Sequence, residues 1–384
     1  MKRISVLALI LCACFVSVAW GQQITCKTYT AWAQFHRYNM RRSNPCEKLL
    51  NVHNVGKLGL KWSYATAAGN SVESSPAVAD AVVYVGTYSE QGYGPGTLYA
   101  LKASTGALLW SYQMGSIFSS PAVVNEVVYI GSDDGNLYAL NAHTGVLLWS
   151  YATGSLVESE PTVVNGVVYV GSVNGNLYAL NATTGALLWS YTADQIYSSS
   201  AVAYGVVYIS TFNGNVYALK ASTGVPLWSY SSPNDSQGTS SPAVADGVVY
   251  VVTNLDQVYA LNAQTGAEVW SSNSTLSAVS SLAVANGVVY VGSYSEVYAL
   301  STRTGGKLWV FAAGGGYVYS SPAVANGVVY VGSLDNNLYA LNAHTGKKLW
   351  NYTTGGVVDS SPAVANGVVY VGSTDGKVYS FGLK

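Results

Sequence analysis

The chain has 384 residues and a formal net charge of −1, and charged residues make up only 9% of it. This weak charge excludes the strongly basic surface that nucleic acid or an anionic membrane attracts. An apolar content of 49% excludes an intrinsically disordered chain. With 40 Gly, 31 Tyr and no helical heptads, the composition indicates an all-β repeat protein.

Residues 1–21 have the pattern of a signal peptide. Lys2 and Arg3 form a basic start, residues 4–20 are apolar, and small residues occupy positions 19 and 21. We therefore expect an exported protein that is periplasmic, secreted or held at the cell surface, with no transmembrane span in the mature chain. An uncleaved anchor is the alternative, and Cys14 lies in a poor context for lipid attachment.

Residues 22–57 lie outside the repeat and are predicted to be an irregular extension packed on the ring. Trp32 and Phe35 are interpreted there as packing anchors. Signal cleavage leaves Cys26 and Cys46, and an even pair in an oxidising compartment favours a disulfide. Such a bridge stabilises by about 3 kcal/mol in the chain-entropy model. Two free thiols are the alternative.

From residue 58 onward the whole chain is a repeat of about 40 residues, the length typical of a four-stranded propeller blade. Each copy holds a small-residue strand, a VVYVG strand, an LYAL strand and a strand that ends in Trp. Asn-Gly or Asp-Gly between the first two favours a tight type I′ hairpin. Predicted structural docking residues between blades are the eight recurring tryptophans, Trp62, Trp110, Trp149, Trp189, Trp228, Trp270, Trp309 and Trp350.

The two ends of the repeat region complement each other. The last copy stops before its fourth strand, and a spare strand of that kind stands at residues 58–64 as LGLKWSY. The sequence therefore predicts an eight-bladed β-propeller, all-β, with four-stranded antiparallel blades, spanning residues 58–384. An N-terminal strand completes its last blade. A seven-bladed ring with a stray copy and an open solenoid are the alternatives.

Seven copies of an eleven-residue motif carry a family resemblance. The motif reads ALNAHTGVLLW at 139–149, ALNATTGALLW at 179–189 and ALNAHTGKKLW at 340–350. It resembles the tryptophan-docking motif of pyrroloquinoline quinone (PQQ)-type propellers, with Asn141, Asn181 and Asn342 at the position of the family's Asp. The chain is also similar to the outer-membrane assembly lipoprotein of Gram-negative bacteria, a propeller scaffold.

The resemblance implies two different functions. Quinoprotein dehydrogenases need PQQ, calcium, a catalytic aspartate and, in many members, adjacent cysteines. The mature chain has no adjacent cysteines and no large insertion that gathers such groups. His143 and His344 occupy equivalent turns of distant blades, and no metal-site spacing is present.

We therefore predict a non-catalytic binding or scaffold propeller, monomeric, with no cofactor or metal. Its expected partner is an envelope or extracellular protein or a glycan, with no role for nucleic acid. A PQQ-dependent oxidoreductase that uses PQQ and calcium is the alternative. A hydrolase or lyase built on the top face is a third, for which no constellation is visible.

The most informative variation lies three residues before the proline position of each repeat. Loops there open on one face, so these residues are expected to line the mouth of the central funnel. A binding site of acids and aromatic rings suits a cation, a sugar or a peptide. Drift at a solvated rim is the alternative. Glu160 is a second departure, one residue before the proline position, where other copies have Ser. The predicted ligand-binding residues are Glu73, Phe118, Glu158, Glu160, Tyr197, Tyr319 and Asp359.

Overall fold

The structure is a computed structural model that describes residues 31–35, 40–89, 94–232, 240–254, 257–272 and 276–384. The predicted signal peptide, Cys26 and Thr239 lie outside these residues. The described chain forms eight blades of four antiparallel strands, and one of these sheets gains a fifth, parallel strand from the extension. Their innermost strands contact one another in a closed circle, from blade 1 through blade 8 and back to blade 1.

The strands follow the repeat in chain order. Blade 1 comprises Ala77–Ala79, Val82–Gly86, Gly96–Lys102 and Leu108–Met114; blade 2, Ala122–Val124, Val127–Gly131, Asn136–Asn141 and Leu147–Ala152; blade 3, Thr162–Val164, Val167–Gly171, Asn176–Asn181 and Leu187–Thr192; blade 4, Ala201–Ala203, Val206–Ser210, Asn215–Lys220 and Pro226–Ser231.

The second half of the ring repeats the pattern. Blade 5 comprises Ala243–Ala245, Val248–Asn254, Gln257–Asn262 and Glu268–Ser271; blade 6, Ala283–Ala285, Val288–Gly292, Glu296–Ser301 and Lys307–Ala312; blade 7, Ala323–Ala325, Val328–Gly332, Asn337–Asn342 and Lys348–Thr353; blade 8, Ala363–Ala365, Val368–Ser373, Lys377–Leu383 and Leu58–Ala65. Outside the blades lie Ser43–Asn44, Asn70–Ser71, Tyr88–Ser89 and a short 3-10 helix, Val55–Lys57.

The ring closes by the predicted exchange of strands. Leu58–Ala65 pairs antiparallel with Lys377–Leu383, and Tyr64 faces Val378 in the register. The eight-bladed all-β architecture is confirmed, and the seven-bladed ring and the open solenoid are wrong. The innermost strands are shorter than predicted, because each is only a three-residue segment. The Ser-Ser-Pro before that segment has no strand pairing; its serines bond to the neighbouring blade and, through a hydroxyl, to the second strand of their own blade.

Tryptophans join each blade to the next. The indole Nε1 of every motif tryptophan donates to a backbone carbonyl of the following blade, at 2.8 to 3.1 Å. The glycine of the following motif packs on the indole face. A Cβ built on Gly145 would lie 2.6 Å from Cε3 of Trp110. The core is therefore divided among the joints between blades.

We expect Gly145→Ala to destabilise the protein more than Gly166→Ala does. Both glycines have positive φ, +70° and +77°, so alanine at either costs about 1–2 kcal/mol in the left-handed region. Gly166 has no atom within 4 Å of the added Cβ, whereas Gly145 meets Trp110, which adds about 1–3 kcal/mol of overpacking. Urea unfolding of the two variants checks this, and equal losses would contradict the role assigned to the joint.

The extension crosses the central channel and bonds to the middle valine of seven innermost strands. Backbone groups or side chains of successive extension residues make these contacts. The pairs are Trp32 with Val78, Ala33 with Val123, Gln34 with Val163, Met40 with Val244, Arg41 with Val284, Arg42 with Val324 and Asn44 with Val364. Ser43–Asn44 also pairs in parallel with Ala323–Ala325. One non-repeated segment thus contacts nearly the whole ring.

Candidate functional site

A cavity of about 280 Å³ opens at the end of the channel where the innermost strands begin. Two tiers of side chains line it, and each blade contributes equivalent positions. The upper tier is Glu73, Phe118, Glu158, Tyr197, Val279, Tyr319 and Asp359, and the lower tier is Ser75, Ser120, Glu160, Ser241, Ser281, Ser321 and Ser361. The structure thus brings all seven predicted rim residues together in one cavity. Their role in binding stays a prediction.

The lower tier is a belt of serines linked from blade to blade. The backbone N–H of each serine donates to the Oγ of the serine in the next blade, at 2.9 to 3.1 Å around six joints. Glu160 replaces the serine in blade 3, and there the Ser120 hydroxyl donates to its Oε1 at 3.4 Å. The belt holds the channel wall rigid and contains a single acid.

Arg42 and Phe35 form the floor beneath Glu160. The Arg42 side chain is completely buried. Its guanidinium donates to the backbone carbonyls of Phe35, Ser321, Pro322 and Pro362 at 2.8 to 3.3 Å. It also stacks over the Phe35 ring at 4.2 Å. The channel is therefore closed on the side away from the cavity mouth.

Burial raises the pKa of three acids in the cavity. Burial raises the pKa of Glu158 to about 7, and the nearby Asp133 adds to the rise. Burial raises the pKa of Asp359 to about 6, with a contribution from Glu73. The pKa of Glu160 is also raised to about 7 by burial, although Arg42 and the Ser120 hydroxyl act in the opposite direction. Close carboxylates in a partly dry site explain these directions.

We expect the protein to be more stable at pH 5.5 than at pH 8. The raised pKa values mean that the folded state binds more protons than the unfolded chain between about pH 4.5 and pH 7, so stability falls as pH rises through that window. Each kcal/mol is worth about 2–4 °C in the melting temperature of a mid-sized domain. Thermal melts of Glu158→Gln should show a flatter pH slope. The control Glu126→Gln, at an exposed hairpin on the opposite face, should keep the wild-type slope.

Aromatic side chains outside the predicted set pack behind the rings that line the cavity. Tyr88 lies 4.1 Å from Phe118 between ring centroids, and Tyr317 stacks on Tyr319 at 5.2 Å. Tyr294 meets Tyr317 edge-on at 4.8 Å. The sequence contained a signal for Tyr88 and Tyr294, since the residue after the second strand also varies between copies.

The described residues contain no group of three or more His, Cys, Asp or Glu side chains that is arranged to hold a metal ion. His143 lies on the opposite face, 3.8 Å from a carboxylate oxygen of Glu126. Cys46 is buried at 5% exposure, and the predicted disulfide with Cys26 stays a prediction. In the described part of the chain, no helix is both long enough and apolar enough to cross a membrane.

Eight four-stranded blades with docked tryptophans and a funnel on the ring axis define a PQQ-type β-propeller. The chain belongs to the family whose model is described as outer membrane protein assembly factor BamB, because that model matches residues 54–198, 193–312 and 256–384. The resemblance found in the sequence is therefore confirmed at the level of the family.

Two curated relatives match over short stretches. The dehydrogenase subunit of the quinone alcohol dehydrogenase of Gluconobacter oxydans (strain 621H) is 33% identical over 107 residues, 25% of this chain and 13% of the relative. The quinohemoprotein alcohol dehydrogenase ADH-IIG of Pseudomonas putida is 38% identical over 76 residues, 20% of this chain and 10% of the relative. The matches thus span a small part of each relative's length.

Solved structures share the whole ring. The quinohemoprotein alcohol dehydrogenase ADHIIG from Pseudomonas putida HK5 has a TM-score of 0.79 at 18% identity, covering 93% of this chain and 81% of that one. BamB from Moraxella catarrhalis has a TM-score of 0.71 at 22% identity, covering 85% and 99%. At these identities the likeness concerns the fold, which hosts both an enzyme and an assembly factor.

Proposed function

We propose that this chain is a non-catalytic binding or scaffold propeller that recognises its ligand or partner through the axial cavity. One observation carries the proposal. The blades repeat almost without change, yet the upper tier of the cavity differs in nearly every blade and combines acids with aromatic rings. Function resides in such sites and not in the blades that carry them.

The cavity does not suit PQQ. PQQ is a polycarboxylate, and four carboxyl side chains line the cavity, Glu73, Glu158, Glu160 and Asp359. Among the described residues, no lysine or arginine lines it. The nearest cation on the floor is Arg42, whose guanidinium already donates to four backbone carbonyls. An anionic quinone entering here would meet like charges and buried groups without new partners.

A PQQ-dependent oxidoreductase is the second candidate. The short matches to two alcohol dehydrogenases, at 33% and 38% identity, favour it. Those stretches cover 13% and 10% of the relatives, and shared blade motifs alone account for matches of that length. We place this candidate second because the lining charges oppose the cofactor.

Export and a macromolecular partner form the rest of the proposal. The basic and apolar start of the sequence supports a periplasmic, secreted or cell-surface location. The family model's description as an outer membrane protein assembly factor supports a protein partner in the envelope. An extracellular protein or a glycan is the other partner class that the cavity chemistry suits.

Site-specific photo-crosslinking tests the proposed contact surface. Benzoylphenylalanine is placed at Tyr319, 44% exposed in the upper tier, and separately at Tyr204, 53% exposed in a hairpin on the opposite face. After irradiation in the cells that produce the protein, we expect a discrete adduct from Tyr319 and none from Tyr204. Equal adducts from both positions, or none from Tyr319, would count against the cavity as the contact site.

Calorimetric titration with PQQ and calcium, followed by dye-linked alcohol oxidation on the same sample, tests the second candidate. We expect no saturable heat and no turnover. Saturable binding with turnover that Glu158→Gln abolishes and Glu126→Gln leaves intact would replace our proposal with the oxidoreductase.

A further inference from the structure

The chemistry of the axial cavity narrows the class of its ligand. Acids and aromatic rings come in adjacent blades around the upper tier. Glu158 lies between the blades that carry Phe118 and Tyr197, and Asp359 follows the blade that carries Tyr319. Burial is the main cause of the raised pKa of Tyr197, and the charge of Glu158 adds to it. Burial likewise raises the pKa of Tyr319, and Asp359 is among the groups that add to the rise. Each acid therefore lies close to the ring it acts on.

Some polar atoms of this tier lack partners among the described residues. Oδ1 of Asp359, and Oδ1 of Asp133, whose charge acts on the upper-tier Glu158, are buried without a hydrogen bond. Ser240 lines the cavity, is 4% exposed, and its Oγ likewise has no partner. Buried polar atoms in folded proteins are nearly always satisfied, by the chain or by something bound to it. The two carboxyl oxygens can each accept a hydrogen bond from a bound donor, and a donor that carries positive charge makes the stronger bond.

One tier below, the chain already shows the arrangement with its cation in place. The Arg42 guanidinium stacks on the Phe35 ring at 4.2 Å, and its charge acts on the carboxyl of Glu160. Among the described residues, the upper tier repeats the acid and the aromatic ring without a lysine or arginine in its lining. A cation over an aromatic face beside a carboxylate gains both from the ring quadrupole and from the charge.

We propose that the upper tier binds a primary ammonium or guanidinium group carried on a short aliphatic chain, at an acid and the aromatic ring of an adjacent blade: Glu158 with Tyr197, or Asp359 with Tyr319. This inference rests on the proposed binding function and names the ligand class for that site. At about 280 Å³ the cavity lies near the lower end of small-ligand pockets. A volume of that size suits a free aliphatic amine or a single basic side chain presented by a partner.

Titration calorimetry of the whole chain with four probes tests the inference. The probes are a capped glycine-rich pentapeptide with a central arginine, the same peptide with neutral citrulline, cadaverine, and tetramethylammonium, a cation without N–H donors. We expect the arginine peptide or cadaverine to bind at least about tenfold more tightly than the citrulline peptide and tetramethylammonium. Tighter binding of the peptide points to a partner's side chain, and tighter binding of cadaverine points to a free amine.

Matched variants locate the effect. Glu158→Gln combined with Asp359→Asn should remove the preference for the arginine peptide, and Tyr319→Leu should weaken it more than Tyr319→Phe. Glu126→Gln, on the opposite face, should bind like the wild type. If the double variant fails to fold, as judged by its thermal melt, the single Glu158→Gln and the Tyr319 pair decide.

Two results would overturn the inference. One is that neither the arginine peptide nor cadaverine binds more tightly than the citrulline peptide and tetramethylammonium, and the other is an unchanged preference for the cationic probe in the folded Glu158→Gln variant. If the cationic probes fail while Tyr319 still gives its crosslinked partner, the ligand class is wrong and the binding function stands. If both fail, the binding function is wrong as well.

Discussion

Replacing Arg42 with methionine is expected to destabilise the ring by about 3–5 kcal/mol, as when one partner of a buried charge pair is removed. The Arg42 guanidinium satisfies four backbone carbonyls from the extension and from blades 7 and 8. Its loss leaves these acceptors buried and unsatisfied. It also removes the cation that favours ionisation of Glu160. Urea unfolding gives the loss directly.

The neighbouring arginine supplies the matched control. Arg41 makes a surface ion pair with Asp246 at 3.0 Å, and the Asp246 side chain is 84% exposed. Arg41→Met should therefore cost only about 0–1 kcal/mol. Arg42→Lys keeps a charge but not the planar fork and should fall between the two. Equal losses for Arg41→Met and Arg42→Met would show that the channel floor has no special role in stability.

A second substitution, at Glu160, separates two causes of the stability loss. Part of the damage in Arg42→Met comes from an acid left without its cation, so adding Glu160→Gln should recover part of the lost stability. Stability changes from substitutions at contacting residues do not simply add, and a double-mutant cycle measures the coupling energy between the two residues. A purely additive result would mean that the guanidinium acts through its backbone carbonyls alone.

Repetition made the fold predictable. Tryptophans, hairpin turns and strands recur eight times, so each error in one copy is corrected by the others, and the spare strand at residues 58–64 fixes the closure. The upper tier of the cavity was predicted by the reverse logic, as the positions where the copies disagree. The structure collects Glu73, Phe118 and their equivalents in one cavity.

Segments that occur only once in the sequence could not be predicted by comparing copies. The extension has no periodicity, so nothing in the sequence indicated that residues such as Met40 and Arg42 reach innermost strands more than 200 positions away. The links that the lower serine tier makes between blades were not predicted for the opposite reason, because Ser321 and its equivalents scarcely vary. Their role is visible only in the hydrogen bonds between blades.

The packing that closes the channel also bears on the choice between the two candidate functions. The extension occupies the axis of the ring, and backbone carbonyls hold the Arg42 guanidinium in the floor of the cavity. The open end keeps four acids without a lining cation among the described residues. A cavity that is sealed below and acidic above suits capture of a cationic group better than binding of an anionic cofactor.

Replacing Phe381 with alanine is expected to cost about 3–5 kcal/mol, the usual loss for a fully buried phenylalanine. Phe381 is completely buried in the closing blade, and its ring lies 4.7 Å from Tyr352 and 5.2 Å from Trp350 between centroids. The other copies have leucine at this position. Phe381→Leu should therefore lose markedly less, since the site keeps most of its apolar volume. Urea unfolding compares the two.

The closing blade should also fail in its own way. Leu219 occupies the equivalent position in blade 4 and is equally buried, but there all four strands follow one another in the chain. In blade 8 the outer strand, Leu58–Ala65, is held to Lys377–Leu383 by pairing alone. Hydrogen exchange in Phe381→Ala should therefore accelerate in these two strands before global unfolding, whereas Leu219→Ala should accelerate no outer strand selectively. Uniform exchange in both variants would mean that the closing seam is as cooperative as a covalently continuous blade, and the ring would then unfold as one unit instead of opening at its seam.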